Sequence, residues 1–145
     1  MKKIISILML MTLCALALTG CVAATTVDED SIDRPTVVVT CGDTELTATP
    51  ASTIEATAAP TDTEDEPVDN NIYNAVSADA ELTLSGKHSS GIASVCYRIN
   101  GGDPVVVKSA SAAVSASADL EKLEVYVMNG NGIASQWATY FFTVE

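Results

Sequence analysis

Three textures of apolar and polar residues follow one another along the chain. From Ile4 to Leu18 the residues are apolar except for Ser6 and Thr12. From Val22 to about Asn71, Thr, Ala, Pro and acidic residues dominate, as in Thr47-Ala48-Thr49-Pro50-Ala51-Ser52-Thr53 and Asp62-Thr63-Glu64-Asp65-Glu66-Pro67. Text of low hydrophobicity and repeated like charge buries too little surface to offset chain entropy, so most of this stretch is expected to be a disordered spacer. One segment departs from it. Thr36-Val37-Val38-Val39-Thr40-Cys41, closed by Gly42-Asp43 and followed by Thr44-Glu45-Leu46-Thr47, predicts local β structure over 36–47, because β-branched residues precede a turn dipeptide. Whether it docks on the rest of the chain is left open.

From Ile72 to Glu145 short apolar runs recur between turn residues, and no stretch sustains a helical period. Strands are predicted at Ala80–Ser85, Ile92–Asn100, Val105–Lys108, Ala112–Ser117, Leu123–Met128 and Trp137–Val144. Val95, Tyr97 and Ile99 alternate with Ser94, Cys96 and Arg98, which places the first set inward. Asn100-Gly101 then favours the positive φ angles of a tight hairpin. Leu123, Val125 and Val127 form a second inward stripe against Glu124, Tyr126 and Met128. The expected fold is all-β, a small sandwich over 72–145.

The N-terminal run has the order of an export signal: Met1-Lys2-Lys3, the apolar stretch, then small residues. It ends in Leu18-Thr19-Gly20-Cys21, which resembles the lipobox of bacterial lipoproteins. That resemblance implies cleavage after residue 20 and a diacylglycerol on Cys21, giving a signal peptide at 1–20, a spacer at 21–71 and a sandwich domain at 72–145. Two alternatives stay open: an uncleaved membrane helix, since apolar and small residues run on through Ala24 and roughly 20 suffice to span, and an ordinary secretory signal. More than one acyl chain holds a protein stably on a bilayer, so the expected location is the cell membrane, facing away from the cytoplasm. A flexible linker of about 50 residues would reach on the order of 40 Å from that anchor.

Gly91-Ile92-Ala93-Ser94-Val95-Cys96-Tyr97-Arg98-Ile99-Asn100-Gly101-Gly102, then Leu123 to Val127, Asn129-Gly130-Asn131-Gly132 and Ser135 to Val144, resemble the immunoglobulin-like modules of bacterial surface proteins. The resemblance covers about half the chain and implies a β-sandwich used for spacing or binding; it implies no reaction. Such modules at times carry an acidic loop that suggests calcium, but Met128-Asn129 stands at the acidic position here, and too few carboxylates remain for that ion.

The whole chain carries a net charge of −12; with Lys2 and Lys3 removed, five bases face nineteen acids, a net −14. Nucleic acid is thereby set aside as a partner, since phosphate affinity rests on clustered Lys and Arg. Cys41 and Cys96 are the two thiols outside signal and anchor, and export permits a disulfide between them. Cys96 is expected to face outward and Cys41 inward, which speaks against it. No His accompanies them, so zinc is not expected.

His88, the only histidine, lies beside Ser89 and Ser90 in a Gly-flanked turn and reads as a solvated loop residue. Sequence neighbours on a turn do not form a catalytic pair, and neither an orienting acid nor an oxyanion hole is evident. Trp137, Tyr140, Phe141 and Phe142 are expected mainly to fill the sandwich, with Trp137 and Tyr126 the aromatics that would stack a ligand if exposed. The reading that emerges is a non-enzymatic, cofactor-free surface lipoprotein whose domain contacts a protein or serves the envelope. The alternative is a glycan-binding module.

Overall fold

Alternation along each strand becomes layering in space. The computed structural model describes residues 32–58 and 69–145, apart from the side chains of 56–58. The expected signal peptide, Cys21 and the spacer pieces 22–31 and 59–68 lie outside the described residues. The elements are β1 (Thr36–Cys41), β2 (Thr44–Glu45), α1 (Ala51–Ala58), β3 (Tyr73–Val76), β4 (Glu81–Lys87), β5 (Ile92–Ile99), β6 (Val105–Val107), β7 (Ala112–Ser115), β8 (Lys122–Asn129) and β9 (Ala138–Val144). They form a four-stranded sheet, β2-β1-β4-β7, and a five-stranded sheet, β3-β9-β8-β5-β6. The fold is an all-β sandwich.

Val39, Leu82, Leu84 and Val114 enter the core from the four-stranded sheet, and Val95, Leu123, Val125, Val127, Tyr140 and Phe142 from the five-stranded sheet. Gly86 continues the Leu82–Leu84 face with no room for a side chain: a Cβ there would lie 2.7 Å from Val127 Cγ2 and 2.8 Å from the Thr36 carbonyl. The predicted hairpin after β5 is present. Asn100 and Gly101 both have positive φ, 49° and 73°, and Gly102 N–H donates to Ile99 O at 2.8 Å, the i to i+3 bond of a type I′ turn. Ile99, expected inward, is exposed at the end of its strand.

The six predicted strands all appear, within two residues or so at each end. The β structure expected over 36–47 is present, and α1 and β3 are elements the sequence did not lead us to expect. β1 and β2 form that expected β structure, and the docking left open is decided: β1 pairs antiparallel with β4 over six residues, Thr36↔Lys87 through Cys41↔Leu82, so the sandwich takes in a segment assigned to the spacer. Burying Val38 and Val39 supplies what the local composition lacks, and the folded unit begins at Asp33 and runs to Glu145. Residues 51–58, within the stretch expected to be mostly disordered, form α1. Pro50 stands at its N-cap, where its carbonyl accepts the Thr53 and Ile54 N–H groups at 2.9 and 3.3 Å. β3 was not predicted, because Tyr-Asn-Ala-Val is short and weakly patterned. Its order comes from parallel pairing with β9, Tyr73↔Phe141 to Val76↔Val144, and from Asn74, whose Nδ2 donates to the Phe141 and Thr47 carbonyls at 3.1 and 3.0 Å.

Candidate functional site

Inward stripes on β5, β8 and β9 force the intervening residues onto the opposite, solvent-side face of the five-stranded sheet. Register sets them beside one another there: Arg98 opposite Glu124, Cys96 opposite Tyr126, Lys122 opposite Phe141, Glu124 opposite Thr139, and Phe141 opposite Tyr73. Trp137, just before β9, continues the outward parity of Thr139 and Phe141. The closing aromatic run is therefore split. Tyr140 and Phe142 are buried as expected, while Phe141 and Trp137 stand on the outer face, Trp137 with 42% of its surface exposed.

Trp137 meets Tyr126 edge-on, ring centroids 4.7 Å apart and planes at 81°. The Arg98 guanidinium lies over the Trp137 ring, its Cζ 4.9 Å from the centroid, which is within cation–π range. Arg98 also grips Glu124 with two bonds, Nε to Oε2 at 2.7 Å and a terminal nitrogen to Oε1 at 2.8 Å, and Lys122 Nζ approaches the same carboxylate at 3.5 Å. The hydrogen bond from Arg98 holds the Glu124 carboxyl below its ordinary pKa against an opposing effect of burial. A second aromatic pair, Tyr73 and Phe141 at 5.7 Å, lies further along the same face; the Tyr73 hydroxyl donates to Asp69 Oδ2 at 2.6 Å. Lys122, Glu124 and Thr139 lie between the two pairs. The face thus offers two apolar platforms separated by charged and hydroxyl groups, an arrangement suited to binding.

Trp137 and Tyr126, the two residues singled out as stacking candidates, are brought together. Arg98, Glu124 and Tyr73 were not singled out, and Phe141 was expected in the core. For Arg98 and Glu124 the outward alternation was readable, but their pairing depends on the register between β5 and β8. The disulfide left open between Cys41 and Cys96 is not formed, and both are free thiols. Cys41 packs against the core from the four-stranded sheet, whereas Cys96 belongs to the outer face of the other sheet. Cys96 is nevertheless buried, because Tyr126 and Val106, its neighbours across the two adjoining strands, flank it. The hydrogen bond between Tyr126 and Cys96, chiefly, raises the Tyr126 hydroxyl pKa.

His88 also departs from expectation. Its side chain is only 6% exposed. The Ser90 N–H donates to Nδ1 at 3.1 Å, and Nε2 lies 3.2 Å from both the Asp33 carboxylate and the Asp33 carbonyl. The histidine ties the start of the folded unit to the β4–β5 turn, and Asn129, fully buried, packs against its ring. Among the described residues no three His, Cys, Asp or Glu side chains gather into a group that could hold a metal, and no helix is long and apolar enough to cross a membrane. In comparison with known proteins, no family model matches the chain, and neither a curated protein nor a solved structure does.

Proposed function

We propose that this chain is a non-enzymatic lipoprotein, held by lipid on Cys21 at the outer surface of a membrane, that presents the outer face of its five-stranded sheet to a protein partner. The observation that carries the binding part is the joint placement of Trp137, Tyr126 and Arg98 on a solvent-facing sheet. These three residue types dominate the energetic centres of protein interfaces, and here a core-forming explanation is removed by their position outside the sandwich. The immunoglobulin-like reading is supported by the two-sheet architecture and by the Asn100-Gly101 hairpin, both features of the module it resembles. The anchor is supported by the basic start, apolar run and Leu18-Thr19-Gly20-Cys21 in their expected order.

One observation favours a second reading, a surface glycan binder. Trp137 is exposed beside Tyr126, and a partly open aromatic ring can stack on a sugar. Arg98 already covers part of that ring, which favours the protein reading. Chemical cross-linking on intact producing cells, comparing wild type with Trp137→Ala, separates the two. A discrete cross-linked protein lost in the variant is the expected result. Identical patterns would remove the protein-contact reading, and Trp137-dependent binding on a glycan array would put the second in its place.

A further inference from the structure

β1 has an outer edge that β2 covers at one end only. On that edge Leu46 N–H donates to Val39 O at 2.8 Å, and Cys41 pairs with Thr44. The N–H and C=O of a strand residue point to the same side, and the side alternates from residue to residue. Val37, two positions before Val39, therefore directs both groups away from β4. Among the described residues neither group has a hydrogen-bond partner. Val38 shows the opposite parity, its carbonyl accepting from Ser85 Oγ of β4 at 3.4 Å.

Where Val37 points, the surface opens into a groove of about 420 Å³. Arg34 and Pro35 line it from the approach to β1, Thr36 and Val37 from β1 itself, Ser135 to Ala138 from the approach to β9 and its first residue, and Tyr140 from the core. The chain from Leu46 to Thr49 crosses between the sheets beside it: Leu46 is bonded to Val39, and Thr49 N–H donates to Thr139 O at 2.8 Å. The groove thus joins an unfilled strand edge to the apolar flank of Trp137.

We propose that this groove takes an extended peptide strand of a partner protein, which adds to β1 through the Val37 N–H and C=O and lays an apolar side chain against Trp137 and Ala138. The proposal rests on the protein-contact reading and names its ligand class. An extended peptide is singled out because a donor and an acceptor on one side of one residue complement another strand's main chain, the basis of β-strand addition. Charge narrows the class further. At long range the net charge of −14 left by the proposed cleavage favours segments bearing Lys or Arg over acidic ones, while the charged residue lining the groove itself is Arg34.

The test uses the full chain in mild detergent, titrated with a short synthetic peptide of alternating valine and lysine. Trp137, the only tryptophan in the sequence, reports by fluorescence, and the Val37 amide reports by NMR. Saturable change in both signals is expected. N-methylating the peptide along one edge should weaken binding by about tenfold, roughly the loss of one net hydrogen bond, with little effect from methylating the other edge. Val37→Pro should weaken it similarly; the ladder to β4 does not use that N–H, and proline is tolerated on strand edges. The peptide-side methylation keeps the test decisive if this variant folds poorly.

Absence of saturation, or equal binding by both methylated peptides, would overturn strand addition and leave charge attraction alone. A Trp137-dependent cross-link on cells without peptide binding would remove the groove and keep the contact face. Peptide binding without a cross-link would support the groove and count against the outer face.

Discussion

Glu124 sits on the solvent side of the sheet with its carboxylate gripped by Arg98 and approached by Lys122. A carboxyl whose folded pKa is depressed stabilises the fold above its unfolded value, here 4.5, and that contribution is lost as pH falls through the lower folded value. Stability should therefore decline on acidification below about that point, and Glu124→Gln should flatten the decline. Arg98 is partly exposed, so the variant is expected to cost about 1 kcal/mol at neutral pH, as for a screened surface pair. Urea melts of both proteins across the acid range measure this. Asp69, lowered by its bond from Tyr73, and Asp119, lowered by Ser117, leave part of the acid response in place. Gly86→Ala tests the close packing at that position. With a new Cβ inside contact distance of Val127 and of the Thr36 backbone, overpacking should destabilise by about 1–3 kcal/mol in thermal melts.

β1 belongs to the sandwich although an acidic, Pro-containing stretch separates it from β3. It covers one side of β4 and contributes Val39 to the core beside Leu82 and Leu84. Deleting residues 33–48 would expose those leucines and open a new edge on β4, both costly in a small domain. Loss of chemical-shift dispersion in the proton NMR spectrum of the truncated chain is expected; a spectrum as dispersed as wild type would show that 69–145 folds alone. Leu84→Ala, at a fully buried site, should cost about 2–5 kcal/mol in the intact chain. The β5–β6 turn, by contrast, takes its angles locally from Asn100 and Gly101, while the Asn100 side chain ties it to the distant segment before β8 through Asp119, Glu121 and Lys122.

At the level of the whole molecule, a binding face and an anchor are proposed at different places along the chain. The proposed lipid on Cys21 would keep the sandwich at the membrane surface, and acidity would hold it away from anionic lipid. Cys21→Ala should shift the protein from the membrane fraction to the soluble fraction. Wild-type mass should begin at Cys21 with acyl increments, measured on membranes of the producing cell. An unlipidated wild-type mass would instead describe a secreted β module, and an uncleaved one a membrane-spanning stalk.

Periodicity alone marked the strands that carry the core, because alternation of apolar residues reflects which face of a strand meets the other sheet, and Asn100-Gly101 marked its turn through local φ preference. Outward parity for Arg98, Glu124 and Tyr126 was legible for the same reason. Tertiary structure alone decided the rest. β3 and α1 lack a local signature strong enough to stand out, and β1 acquires its place by pairing with a strand some forty-seven residues away. Burial of His88 and Cys96 depends on neighbours from other segments. The meeting of Arg98, Trp137 and Tyr126, and the outward edge of Val37 over its groove, follow from register and sheet order, which are properties of pairs of strands and are written in no single one.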